Sequence, residues 1–288
     1  MPASSKEIAL SFDDAPRRLT GNFTGMERAK SLVKKLKSVG VKDAVFFCNS
    51  SHLNEKTKGI LEYYNDQGYV IANHTHTHLS LNDVSFKEYR ADFLKADDTL
   101  SKYSNFSKLF RYPYLREGKD EARRDQMRKL LAKKGYQSAY ITVDFSDWHL
   151  ESLYRESLKN KEKVNLDKMR DLYISLAKES IEHYDALAQK YLGRSPKHVL
   201  LLHETDIAAL FIADLVKSMR SWGWSIISSK DAYTDKLANY NIKRTLKNNP
   251  GRVGELAIDK GHPMDEVWAR SAYTKYISDR YKKEVLNQ

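Results

Sequence analysis

The sequence contains a single cysteine, Cys48, among its 288 residues. An internal disulfide and a cysteine-based zinc cluster are therefore both excluded. Cys48 follows the apolar run of residues 44–47, and no partner base stands near it in the sequence. A buried, inert thiol is thus a better interpretation than a nucleophile. We therefore do not expect a cysteine to carry the function of this protein.

Long apolar runs are also missing. The mean hydropathy is −0.65, 30% of the residues are charged, and runs such as residues 199–202 are far too short to cross a bilayer. The first six residues lack the apolar segment of an export signal. We expect no membrane span. The chain is either cytoplasmic or a mature periplasmic or secreted protein whose signal peptide is absent from this sequence.

Positive charge is in excess, with a net charge of +11 and a pI near 9.4. Such a balance is compatible with nucleic acid, an anionic membrane or an acidic cell-wall polymer as partner. The basic residues are mixed with acidic ones at helical spacing, which is typical of solvated helix faces. Because no nucleic-acid-binding motif is recognisable, we expect no such partner. The oligomeric state is not indicated.

Strand-like and helix-like segments alternate along most of the chain, which predicts an α/β fold around a parallel sheet. Seven strands are predicted, at residues 8–12, 43–48, 69–72, 109–110, 138–143, 199–202 and 224–227. Helices are predicted at residues 26–39, 57–67, 86–100, 120–134, 166–192 and 206–221. A barrel-like closure is our preferred arrangement, and an open doubly wound sheet is the rival.

The alternation stops beyond about residue 241, where Asn249-Pro250-Gly251 breaks the pattern. Residues 264–285 are aromatic and have a helical pattern. This segment is too thin to hold a core of its own. We therefore expect one domain over residues 1–240 and a C-terminal helical extension, residues 241–288, that packs on it.

Two adjacent carboxylates, Asp13 and Asp14, follow the first predicted strand. The carboxyl ends of parallel strands are where α/β folds place their active sites. Adjacent carboxylates repel, so a site that keeps both usually gives one to a cation and leaves the other as a base. Taken alone, such a pair is more often a turn or a helix cap.

Three histidines in five residues, His74, His76 and His78, follow the third strand. His74 and His78 stand four residues apart, so on a helix they would share a face and could bind one ion, with zinc as the expected metal. With Asp14 they supply three ligands and leave positions open for water and substrate. His76 would lie at the rim. An exposed polar loop is the alternative.

Further chemically capable residues follow the later strands. Arg111 could hold a carboxylate ionised and oriented, and Pro113 could fix the backbone so that an amide faces an oxyanion. His203 ends the sixth strand and, with a carboxylate from a nearby strand end, could serve as a general acid. Each feature also describes an ordinary turn or core residue.

Taken in order, these residues resemble the five motifs of the polysaccharide deacetylases, carbohydrate esterase family 4, the NodB-homology domain. The motifs are Ser11-Phe12-Asp13-Asp14, His74-Thr75-x-x-His78, Arg111-x-Pro113-Tyr114, Asp144-x-x-Asp147-Trp148 and Leu201-Leu202-His203. The resemblance covers residues 6 to about 235. It implies a distorted (β/α) barrel of about seven strands and one divalent metal ion, with zinc expected.

The resemblance also implies roles for the matching residues. Asp14, His74 and His78 would bind the metal, Asp13 would be the base and Arg111 would orient it. The backbone amide of Tyr114 would help to bind the oxyanion, and Trp148 would line the pocket. His203 would protonate the leaving amine, held in place by Asp144.

This resemblance implies deacetylation of N-acetylhexosamine units in a glycan such as peptidoglycan or chitin, and an exported protein. Three alternatives stay open: an O-acetyl esterase acting on a xylan-like polymer, a hydrolase of another small amide or a lipid-linked sugar, and a catalytically silent carbohydrate-binding protein. Glu204 stands where many relatives have Asp, and Ala15-Pro16 where many have Gly-Pro. The segment 150–196 is long. These differences affect the cleft rather than the catalytic groups.

Overall fold

The computed structural model describes residues 6–17 and 21–288. Residues 1–5, most of the polar start noted in the sequence, lie outside the described residues. The predicted break between a domain and an extension at residue 240 stays a prediction.

A curled parallel sheet forms the centre of the molecule. Its strands are β1 (Lys6–Ala15), β2 (Val45–Cys48), β3 (Val70–Asn73), β4 (Phe106–Phe110), β5 (Gln137–Ser138), β6 (Lys197–His203) and β7 (Trp224–Ile226). They run in the order β5-β4-β3-β2-β1-β6, and β7 pairs with the first residues of β1. The central strands are buried on both faces because helices cover the sheet.

Closure of the ring depends on the segment that follows β5. The Ala139 amide donates to the carbonyl of Phe110 on β4, whereas the amides of Thr142 and Val143 donate to Val199 on β6. Residues 139–143 therefore change partner from one edge of the sheet to the other. The predicted strand 138–143 is wrong in extent for this reason, while the predicted barrel-like architecture is confirmed.

Ten α-helices connect and cover the strands in the described part of the chain. They are α1 (Gly25–Ser38), α2 (Lys58–Asp66), α3 (Phe86–Leu100), α4 (Glu121–Lys134), α5 (Asp147–Lys159), α6 (Leu166–Leu192), α7 (Asp206–Ser221), α8 (Ser229–Ala232), α9 (Gly251–Asp259) and α10 (Thr274–Arg280). Short 3-10 turns occur at Ser50–His52, Pro113–Leu115, Lys236–Asn239 and Arg270–Ala272, and Tyr281–Val285 is a π-helical turn. No described helix is long and apolar enough to span a bilayer.

Local capping explains several helix limits. The side chain of Thr24 accepts from the Glu27 amide while Glu27 reaches back to Thr24, a capping box that begins α1. The long helix α6 begins after Asn165, whose side chain accepts from the Lys168 amide, and ends at Gly193 in the left-handed conformation.

The C-terminal segment packs along α6 and α5. Its apolar residues Val253, Val267, Ile277 and Val285 are fully buried in the same hydrophobic cluster as the strands. The expected helical character of residues 264–285 is confirmed only in short pieces, which are a 3-10 turn, α10 and a π turn. This segment lies next to α5, the helix that begins at Asp147.

Candidate metal centre

The carboxyl ends of four strands bring the candidate site together. Asp13 on β1 is in register with His203 on the neighbouring β6. His74 follows β3, and its backbone amide donates to Cys48 at the end of β2. Arg111 follows β4, and its amide donates to Asn73 on β3. Side chains that are far apart in the sequence therefore meet at one edge of the curled sheet.

Asp14, His74 and His78 present their ligand atoms to one point, and all of these atoms lie within 4.8 Å of one another. Asp14 Oδ1 is 3.3 Å from His78 Nε2 and 3.7 Å from His74 Nε2. Ligand atoms around a tetrahedral zinc ion are about 3.3 Å apart, given bonds of about 2.0–2.1 Å. The donor set and its spacing therefore fit a zinc-like cation.

The histidines lie on a loop and not on a helix, so the predicted helical face is wrong. Residues 74–78 contain no helical turn. The carboxylate of Asp92 on α3 accepts hydrogen bonds from the backbone amides of His76 and Thr77. This contact bends the loop, which brings the His74 and His78 rings to a centroid distance of 4.9 Å. His76 turns away and bonds Ser50 Oγ at 2.8 Å.

Each of the three side chains is held in the protonation state that a metal ligand needs. Burial lowers the pKa of His74 and of His78 to about 4, so both imidazoles are neutral. Burial would raise the pKa of Asp14, but the neighbouring basic groups together outweigh it, with His203 the largest of them, and the pKa falls to about 2. His74 Nδ1 donates to the Arg111 carbonyl at 2.8 Å, which leaves Nε2 as the ligand atom.

Asp13 is buried beside the three ligands and is paired with Arg111. The guanidinium Nη1 lies 3.2 and 3.4 Å from the two carboxylate oxygens. Burial raises the pKa of Asp13 to about 6, against the opposing charge of Arg111. Nη2 of Arg111 donates to Ser11 Oγ and to Tyr233 Oη, each at 3.2 Å, and Nε donates to the Ala139 carbonyl. The guanidinium is thus fixed on three sides and orients the carboxylate.

His203 is paired with Asp147, which corrects the predicted pairing with Asp144. His203 Nδ1 lies 2.6 Å from Asp147 Oδ1, and the His203 amide donates to Oδ2 at 2.8 Å. Asp144 instead accepts from the Ser146 amide at 2.8 Å and so shapes the turn before α5. The pairing differs because α5 begins at Asp147 and its first turn faces the end of β6.

The environment of His203 favours its protonated form. Burial acts to lower the pKa of this imidazole. The carboxylates of Asp147, Asp14 and Asp13 outweigh burial and raise the pKa to about 9. At neutral pH His203 is therefore a charged proton donor, on a strand that lies on the other side of β1 from β3, which precedes the histidine ligands.

The two predicted substrate-binding aromatics flank the centre. The Tyr114 ring lies 4.5 Å from the His78 ring and is 58% exposed. Trp148 directly follows Asp147 and is 41% exposed. Both residues are open to solvent.

Backbone strain is concentrated at the same place. Eight non-glycine residues of the described chain have positive φ, and six of them border the site: Asp14, Thr75, His78, Tyr114, Leu115 and Ser146. Such conformations cost about 1–3 kcal/mol each and persist where the surrounding structure imposes them, typically at functional sites. The strain is an independent indication that this edge of the sheet is built for chemistry.

Sequence reasoning missed two residues of the site. Tyr233, which follows β7, accepts a hydrogen bond from Arg111 Nη2 at 3.2 Å. Its hydroxyl also donates to the Tyr140 carbonyl at 3.2 Å. No local sequence signal marks it. Asp147 carried a signal, because it lies in the same motif as Asp144 and directly precedes Trp148, but its role was given to Asp144.

Residues 1–139 match the sequence profile of the family described as polysaccharide deacetylase. A peptidoglycan-N-acetylglucosamine deacetylase from Bacillus cereus is 30% identical over 148 residues. That alignment covers 51% of this chain and 48% of the relative, so the match spans about half the length of that protein.

Solved structures share the fold. A peptidoglycan N-acetylglucosamine deacetylase in complex with an N-hydroxybenzamide has a TM-score of 0.55 at 22% identity, and the match covers 86% of this chain and 92% of that one. A pseudoenzyme of carbohydrate esterase family 4 from Bacillus anthracis has a TM-score of 0.55 at 16% identity, with 79% and 65% covered. The resemblance drawn from the motifs is therefore confirmed, in that residues 1–139 match the polysaccharide deacetylase family and the solved structures show the same fold.

Proposed function

We propose that this protein is a metal-dependent N-deacetylase that hydrolyses the acetamido group of N-acetylhexosamine units in a polysaccharide or oligosaccharide of peptidoglycan or chitin type. The expected cofactor is one zinc ion held by Asp14, His74 and His78. The observation that carries the proposal is the convergence of this ligand set with a buried carboxylate, Asp13, and a protonated imidazole, His203.

The chemistry follows from the positions of these groups. A divalent cation at this site supplies Lewis-acid polarisation of the acyl carbonyl and lowers the pKa of water. Asp13 accepts a proton from the attacking water, and Arg111 keeps its carboxylate oriented. The backbone amide of Tyr114 would donate a hydrogen bond to the oxygen of the acyl group. His203 donates a proton to the nitrogen as the carbon–nitrogen bond breaks, so acetate and a free amine leave.

The substrate and compartment are supported by the relatives. The Bacillus cereus relative is named for peptidoglycan N-acetylglucosamine. The residues that match the polysaccharide deacetylase profile, 1–139, include the Asp13 and His74 motifs. Action on a wall glycan requires an exported enzyme, so we propose a periplasmic or secreted location. The proposed arrangement is a catalytic domain over residues 1–240 with the extension 241–288 packed on it.

The test is the variant Asp13→Asn, which removes the base and leaves the three metal ligands in place. We expect turnover to fall by about 10²–10⁴-fold, the usual contribution of a positioned acid or base, with zinc content unchanged. Acetate release from chito-oligosaccharides, peptidoglycan and acetylated xylan is measured side by side, with elemental analysis of the same samples.

The outcomes separate the alternatives. Acetate released only from xylan would identify an O-acetyl esterase. A protein that binds zinc but releases no acetate from any of the three would be a silent glycan-binding member of the family. Substantial activity in Asp13→Asn would remove Asp13 from the role of base.

A further inference from the structure

Five large apolar or aromatic side chains are strongly exposed in the described chain, namely Tyr114, Trp148, Leu166, Met264 and Tyr273. Tyr114 and Trp148 flank the metal centre. Tyr273 is 47% exposed and belongs to the C-terminal extension, which the family motifs do not include. Contacts of the neighbouring residues place Tyr273 beside the turn that carries Trp148.

Tyr273 lies against the turn that carries Trp148. The Ser146 hydroxyl donates to the carbonyl of Ala272, the residue before Tyr273, at 3.0 Å. His149 Nε2 lies 2.8 Å from Ser278 Oγ on α10, the helix that begins directly after Tyr273. Residues on both sides of Trp148 therefore contact residues on both sides of Tyr273. The segments that carry the two exposed rings therefore lie side by side.

The Tyr273 ring is held and not freely mobile. Its hydroxyl donates to the Asp265 carbonyl at 3.2 Å, and its amide donates to the Arg270 carbonyl at 3.1 Å. The neighbouring residues Ser271 and Ile277 are fully buried. An aromatic face that is fixed before binding loses little conformational entropy when a ligand covers it. The exposed Tyr273 ring therefore offers a fixed aromatic face to a ligand.

We propose that Tyr273 and Trp148 together form an aromatic platform that binds a second sugar unit of the glycan, next to the unit that enters the metal centre. This inference rests on the proposed function, since it extends the same cleft. The ligand class is a β-linked hexosamine chain, whose pyranose rings present apolar faces to aromatic side chains. The C-terminal extension would thus set the preference for longer substrates.

The test measures binding separately from catalysis. The variants are Tyr273→Ala, Tyr273→Phe and a matched control, Leu166→Ala, at an exposed apolar residue of α6. Ser180 of the same helix lies beside the platform, since its Oγ is 2.7 Å from Ser271 Oγ, and Leu166 stands 14 positions before it, about 20 Å along the helix. Dissociation constants are measured by calorimetry for the N-acetylglucosamine monomer and tetramer and for an acetylated xylotetraose. Acetate release from the same compounds is followed in parallel.

We expect Tyr273→Ala to weaken tetramer binding by about three- to tenfold, the size of one aromatic contact, with monomer binding unchanged. Tyr273→Phe keeps the aromatic face but loses the hydrogen bond to the Asp265 carbonyl, so it should weaken tetramer binding less than Tyr273→Ala does. Leu166→Ala should bind like the wild type. Equal tetramer affinity in wild type and Tyr273→Ala would overturn the platform. The platform would also be overturned if neither the N-acetylglucosamine tetramer nor the acetylated xylotetraose bound. Tyr273-dependent binding without acetate release would support the platform and refute the proposed deacetylase activity.

Discussion

The pairing of His203 with Asp147 sets the protonation of the proposed proton donor, because the imidazole Nδ1 lies 2.6 Å from the carboxylate. Both Asp144 and Asp147 belong to one motif, and spacing does not tell which of them reaches the end of β6. The structure decides this by the start of α5, which turns the Asp147 carboxylate toward the imidazole at 2.6 Å. The choice has a measurable consequence for the pH dependence of catalysis.

Asp147→Asn should move the alkaline limb of the activity profile to lower pH. The proton donor must be protonated, so activity is lost as pH rises through the pKa of His203, which is about 9 in the native site. Removing the Asp147 charge leaves burial, which lowers the pKa, less strongly opposed. The limb should shift down by about 1 pH unit or more, measured as kcat/KM for acetate release between pH 5 and 10.

Asp144→Asn is the matched comparison. Its carboxylate accepts from the Ser146 amide and makes no hydrogen bond to His203. The alkaline limb should therefore stay near its native position. A larger shift in Asp144→Asn than in Asp147→Asn would restore the pairing predicted from the motif.

At the scale of elements, the sequence predicts helices well where caps are local. The limits predicted for α6 and α7, residues 166–192 and 206–221, agree with the structure. Each has a side-chain cap next to it, Asn165 or Thr205, within the same stretch of sequence. Helix α5 was missed because its first residue follows Ser146, which is left-handed and caps nothing.

The loop of residues 74–78 was predicted as a helix because the contact that determines its shape is not local. The spacing of His74 and His78 matches a helix, but the fold is determined by Asp92, which lies 14 positions beyond His78 and binds the loop amides. A local pattern does not contain such a contact. The ligand residues were found from chemistry, while the backbone that presents them depends on tertiary structure.

Helix α9 offers a test of how the extension is anchored. Gly251 has φ +82°, and a Cβ at this position would lie 2.8 Å from Ile141 Cδ1 and 2.9 Å from the Ile141 carbonyl oxygen. The Arg252 amide donates to that same carbonyl at 2.7 Å. Gly251 thus permits the close approach of α9 to the segment that closes the sheet.

Gly251→Ala should destabilise the protein more than Gly193→Ala. Gly193 also has positive φ, at +76°, but a Cβ there would meet nothing within 4 Å. The control should therefore lose only the conformational cost of about 1–2 kcal/mol, and Gly251→Ala about 1–3 kcal/mol more from the clash. The free energy of unfolding in urea measures both. Equal losses would mean that the contact with Ile141 relaxes without cost.

At the scale of the whole molecule, the alternation of strands and helices was enough to predict where the site lies. Parallel strands end at one edge of the sheet, so the polar residues after β1, β3, β4 and β6 had to meet there. The sequence did not predict how the ring closes, because residues 139–143 bond first to β4 and then to β6. It also did not predict that the extension reaches the cleft at Ser146.

The three candidate metal ligands join the ends of β1 and β3, so a bound cation should stabilise the fold. A ligand that binds the native state and not the unfolded chain stabilises by about 2.7 kcal/mol at a free concentration one hundred times its dissociation constant. We expect zinc to raise the melting temperature of the chelator-treated protein. His74→Ala should abolish this rise, because His74 supplies one of three converging ligand atoms.

His76→Ala is the matched control, since its imidazole lies 2.8 Å from Ser50 Oγ and is absent from the ligand group. Calorimetric scans with and without zinc compare the three proteins, and an equal zinc-induced rise in His74→Ala and the wild type would place the cation elsewhere.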